Sequence, residues 1–133
     1  MSHSFTLTLT SKFREAEKTT HFVEEIDSKF HLDDDFKSRI MLALNEAATN
    51  AIVHGNKEDP EKKVFIEAQF DRNQVQITVE DQGEGFKPEA VPDPMSEENL
   101  LNTGGRGLFF MEQFADEVTY SNGGRVVTLI FNR

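Results

Sequence analysis

Cysteine is absent from these 133 residues, and so is tryptophan. Without Cys there is no disulfide framework, no thiolate metal site and no thiol nucleophile. A single Tyr stands beside twelve Phe, so the bulky core material carries almost no hydroxyl handle. Basic side chains are scarce as well: 14 Lys and Arg face 24 Asp and Glu, for a net charge of −10. That balance repels nucleic-acid phosphates and argues against direct binding of DNA or RNA. It still allows one nucleotide held by backbone N–H groups and a metal, and it suits a basic protein partner. No apolar run approaches the ~18 residues of a membrane span, and nothing at the N-terminus reads as a signal peptide. The expectation is a cytoplasmic protein away from the membrane, with residues 1–133 forming one domain with a sizeable core.

What is present is organised around residues 42–56, LALNEAATNAIVHGN. Glu46, Asn50 and His54 recur every fourth residue, each about 40° on from the last around a helix. Ala43, Leu44, Ala47, Ala48, Ala51 and Ile52 fill much of the remaining circumference, so this helix is expected to be buried along most of its length. A carboxylate and an amide on such a helix need partners, since an unsatisfied buried polar group costs roughly 1–3 kcal/mol. Those partners are either a neighbouring loop or a ligand.

Around this helix the chain alternates its periods. Residues 4–10 set Phe5, Leu7 and Leu9 against threonines, a half-buried strand. Residues 15–30 carry Phe22, Val23, Ile26 and Phe30 at helical spacing. The acids at 33–35 predict a capped start for the central helix, which runs from about 34 to 54 and stops at Gly55-Asn56. Residues 64–70 and 74–80 predict a hairpin across Asp71-Arg72-Asn73. A helix at 108–114, a strand at 117–121, a turn at Asn122-Gly123-Gly124 and a strand at 125–131 close the chain. The whole predicts an α+β two-layer sandwich, a mostly antiparallel sheet with helices on one face.

Two glycine clusters punctuate this order. Asp81-x-Gly83-x-Gly85 follows a strand, placing a carboxylate beside backbone that can approach a ligand closely. Gly104-Gly105-Arg106-Gly107 precedes a helix, an arrangement of N–H groups suited to an anion. Between them, residues 87–103 hold Pro88, Pro92 and Pro94 without a clear period, as functional loops often do. Neither cluster makes a Rossmann fingerprint or a Walker sequence.

Taken in order, Glu46-x-x-x-Asn50, Asp81-x-Gly83-x-Gly85 and Gly105-x-Gly107 resemble the GHKL (Bergerat-fold) ATPases. More narrowly, NEAATNAIVHGN, VEDQGEGF and GGRGLFFMEQFADEV are similar to the bacterial anti-sigma-factor serine kinases. The resemblance implies ATP and Mg²⁺ as cofactors. It places Asn50 on the metal, Asp81 on the adenine amine and Gly83 and Gly85 under the base. Gly105, Arg106 and Gly107 would meet the phosphates, residues 87–103 would form a lid, and Glu46 would be the base for the incoming serine hydroxyl or for a water. His54 and Lys57 fall outside the motif and are left as structural or surface residues.

The implied activity is protein-serine kinase and anti-sigma factor in a partner-switching pathway. The implied partners are a STAS-type antagonist phosphorylated on Ser, a sigma factor or similar regulator, and a second copy of the chain in a homodimer. The alternative is a module that holds ATP as a switch and transfers no phosphate. One departure from the family's pattern stands out. A Gly-Thr-Thr is common near the last strand, with a Thr on the adenine, whereas here Gly124-Arg125-Val126 occupies that place, so the contact is either missing or moved to Thr128.

Overall fold

The computed structural model describes residues 3–83 and 111–133. Strand β1 (His3–Thr10) follows the predicted alternation, with Leu9 fully buried and the threonines exposed. The following helix does not begin at residue 15 in α geometry. Residues Phe13–Glu17 form a 3₁₀ turn and α1 starts at Lys18, running to Phe30. At the junction the Thr19 hydroxyl donates to the Ala16 carbonyl at 2.7 Å, a back-bond of the kind that often bends helices. At the other end His31 takes a left-handed conformation (φ 52°) and its N–H closes on the Asp27 carbonyl.

Helix α2 (Asp34–Asn50) starts from Asp33 in extended backbone, but the Asp33 side chain makes no capping bond, contrary to the expected cap. Asp34 and Asp35 in its first turn still place charge at the positive end of the helix. The two helices are tied by Asp27, whose Oδ1 accepts the Leu32 N–H at 2.8 Å while Oδ2 pairs with Lys37 at 3.1 Å. The Lys37 ammonium holds the Asp27 carboxyl below its ordinary range. Beyond Asn50 the helix continues to Gly55, but as a π turn over Ala51–Gly55, with the Asn56 N–H donating to the Ala51 carbonyl. Such π turns inside helices occur frequently at functional sites.

Strands β2 (Lys63–Phe70) and β3 (Gln74–Glu80) form the expected hairpin. The Asp71 carboxylate sets the turn by accepting the N–H groups of Asn73 and Gln74 at 2.7 and 2.8 Å. Strand β4 (Glu117–Ser121) turns through Asn122, Gly123 and Gly124, all at positive φ, into β5 (Val126–Asn132). The sheet order is β1-β2-β3-β5-β4 and all four pairings are antiparallel. Alternate residues of the central strands (Val64, Ile66, Ala68 and Phe70; Val75, Ile77 and Val79; Leu129 and Phe131) are buried against the helices. The result is the two-layer α+β sandwich that the periodicities predict. Gly85, the expected lid at 87–103, Gly105, Arg106 and Gly107 lie outside the described residues. Of the helix expected at 108–114, residues 111–114 are described and helical.

Candidate functional site

The apolar face of α2 packs as its sequence dictates. Ala43, Leu44, Ala47, Ala48, Ala51 and Ile52 are all buried, which leaves the Glu46–Asn50 line as its open side. Both polar residues are half-buried, and neither side chain makes a hydrogen bond among the described residues. Burial raises the Glu46 carboxyl above its ordinary range. A carboxylate raised by desolvation is a better base than a solvated one. His54, on the π turn, is exposed.

Asp81 continues the buried row of β3 one residue past the strand, and it is 7% exposed. The ladder to β5 continues with it, since the Asp81 N–H donates to the Arg125 carbonyl at 2.9 Å. Its Oδ1 accepts the Gly83 N–H at 2.8 Å, and its Oδ2 accepts nothing among the described residues. Burial pushes the carboxyl up, while the Gly83 N–H and the Arg125 guanidinium pull it partly back.

The side chain of Asp81 lies directly against the end of α2. A Cβ placed on Gly55 would overlap both Oδ2 and Cγ of Asp81, and one placed on Gly83 would overlap the Gly55 carbonyl. Neither glycine has a positive φ. The sequence assigns Gly55 to stopping the helix, but its bare backbone is needed so that a carboxylate can approach. Thus Glu46, Asn50 and Asp81 are gathered along one helix and just beyond its end, with Gly83 at the same junction.

Thr128 is not gathered with them. It pairs in register with Thr78 of β3 and Thr119 of β4. Thr78 alternates with the buried Ile77 and Val79, so this threonine ladder lies on the sheet face away from α2, opposite the row that Asp81 extends. Arg125 instead is the β5-side neighbour of Asp81.

The chemistry of the donors suits a nucleotide with its metal. Among the described residues no three His, Cys, Asp or Glu cluster to hold a cation by themselves. One amide oxygen at Asn50 fits the usual habit of Mg²⁺, which takes one or two protein ligands and completes its shell with phosphates and water. Asp81 offers a buried acceptor for an exocyclic amine.

The profile of the histidine kinase-like ATPase domain matches residues 9–131. The chain belongs to this family. The anti-sigma F factor of Anoxybacillus flavithermus is 35% identical over 114 residues, covering 82% of this chain and 75% of that protein. The anti-sigma F factor of Clostridium perfringens strain SM101 is 33% identical over 115 residues, covering 84% and 79%. Among solved structures, the RsbU and RsbW domains of a Mycobacterium tuberculosis protein share the fold, with a TM-score of 0.68 at 18% identity. That match covers 98% of this chain and 32% of the longer one. The family of this ATPase domain is thus the one its motifs resemble. Sequence reasoning did not single out Gly55, Asn56 or Arg125 for the site, because each acquires its place from residues more than 20 positions away.

Proposed function

We propose that this ATPase domain is an ATP-dependent protein-serine kinase and anti-sigma factor in a partner-switching pathway. The observation that carries the reading is the seating of Asp81 on Gly55, one turn beyond Asn50 and two beyond Glu46. ATP supplies the γ-phosphoryl group, which passes to the serine oxygen as the bond to the β-phosphate breaks and ADP leaves. Asp81 accepts the adenine amine through its Oδ2, which accepts nothing among the described residues, and Gly83 and Gly85 let the backbone close on the base. Asn50 holds Mg²⁺ through its amide oxygen, while Gly105, Arg106 and Gly107 meet the phosphates. Glu46 takes the proton of the incoming serine hydroxyl, for which its carboxyl, raised by burial, is suited.

The relatives named as anti-sigma F factors support a sigma factor as one partner. In the same reading the phosphate acceptor is an antagonist of the STAS type. A homodimer and a cytoplasmic setting belong to the same reading. The test is capture of partners with ATP and with ADP, then transfer of radiolabelled phosphate to the captured antagonist and mapping of the labelled serine. Labelling of one serine is the expected result. A protein that binds ATP and its partner yet never labels it is a nucleotide switch and not a kinase.

A further inference from the structure

Asn56 is 1% exposed, and its side chain is engaged in three directions. Its Oδ1 accepts the Gln82 N–H at 2.7 Å, and its Nδ2 donates to Ser11 Oγ at 2.9 Å and to the Lys63 carbonyl at 3.0 Å. Ser11 in turn donates to the Lys62 carbonyl at 2.6 Å, and Gln82 Oε1 accepts the Lys63 N–H at 2.7 Å. One amide therefore joins the end of α2, the exit of β1, the entry of β2 and the turn after β3. Nothing in the proposed chemistry uses this buried cluster.

Its position relative to Asp81 gives it a role. Gln82 is the residue between Asp81 and Gly83, and the Gly83 N–H orients the Asp81 carboxylate. The backbone of this turn is fixed at one side by the Asp81–Arg125 bond and at the other by Asn56. Gly55, immediately before Asn56, supplies the surface on which the carboxylate rests. We infer that Asn56 is a positioning residue for base selection: it holds the 81–83 turn so that Asp81 Oδ2 meets a purine amine and discriminates against a purine carbonyl. The inference rests on the adenine role proposed for Asp81.

The test compares the ratio of ATP to GTP affinity in the parent, Asn56→Ala and Ser11→Ala, below the melting temperature of each. Asn56→Ala should reduce that ratio by about 10-fold, the scale of one lost buried hydrogen bond. Ser11→Ala removes bonds of the same cluster while leaving Asn56 on Gln82, so it should lower the melting temperature and keep the parent ratio. An Asn56→Ala protein that melts lower but discriminates like the parent overturns the positioning role. So does an equal loss of discrimination in both variants. A parent that binds ATP and GTP alike overturns the adenine reading itself, a result distinguishable from either. Should Asn56→Ala fail to fold, hydrogen exchange of the Gln82 amide in the parent decides. Protection that rises with ATP and not with GTP supports the role, and exchange at the rate of an exposed turn, or protection blind to the base, overturns it.

Discussion

Gly55 and Asp81 meet as backbone against carboxylate, with no room for a methyl group between them. The contact joins the helix that carries Glu46 and Asn50 to the strand end that carries the buried acceptor. Gly55→Ala must push the carboxylate away or shift the π turn. Overpacking of this kind costs about 1–3 kcal/mol. In a domain of this size that lowers the melting temperature by about 4 °C per kcal/mol. A thermal melt beside an ATP titration should show both a lower transition and weakened ATP binding. Parent-like values in both would mean that the contact is unimportant.

Asp81→Asn keeps an oxygen for the Gly83 N–H but turns an NH₂ toward the proposed base site. ATP affinity should fall about 10-fold or more, because a donor then faces the adenine amine, and GTP affinity should fall less. Isothermal titration with each nucleotide measures the two losses. Equal losses would remove Asp81 from base recognition.

Glu46→Gln keeps the shape of the side chain and removes its basicity. Nucleotide binding should stay near the parent value, while phosphate transfer to the acceptor protein falls by about 10²–10⁴-fold. In the parent, the acid limb of the transfer rate should lie above the ordinary carboxylate range, because burial raises the Glu46 carboxyl. A single-turnover transfer assay across pH reads both effects, and parent-rate transfer by the variant would refute the base role.

The same residue predicts a stability effect of opposite sign. Burial favours the protonated form of Glu46, so its charge costs the folded state nothing below the unfolded pKa and its full penalty above the raised folded one. Glu46→Gln should therefore melt at or above the parent temperature at neutral pH. The difference should close as pH falls below about 4.3, the unperturbed value for Glu. Calorimetry at neutral and acid pH measures it, and a variant clearly less stable at neutral pH would show that Glu46 has a structural partner.

Mg-ATP at about 100 times its dissociation constant should stabilise the parent by about 2.7 kcal/mol. Asn50→Ala should lose the magnesium-dependent part of that gain, since its amide is half-buried and engaged with nothing else among the described residues. Melting curves with ATP, with and without Mg²⁺, distinguish metal binding at Asn50 from a contact that needs no metal.

The amino-acid sequence by itself determined the elements and the polar line. Period-two and period-3.6 patterns are local, so β1, the β2–β3 hairpin and the buried face of α2 can be read from residues a few positions apart. Glu46 and Asn50 were legible for the same reason, being four residues apart on one helix. Asp81 was legible as a strand-end carboxylate before glycine. The tertiary structure decided where Asp81 rests, what Gly55 and Asn56 are for, and which face Thr128 takes. Gly55 reads in sequence as a helix stop, yet it is a bed for a carboxylate 26 residues away. Asn56 bonds to residues 45 and 26 positions off, and no periodicity records such pairings. Thr128 is turned from the site by strand register, which the ladder with Thr78 sets and a motif alignment does not.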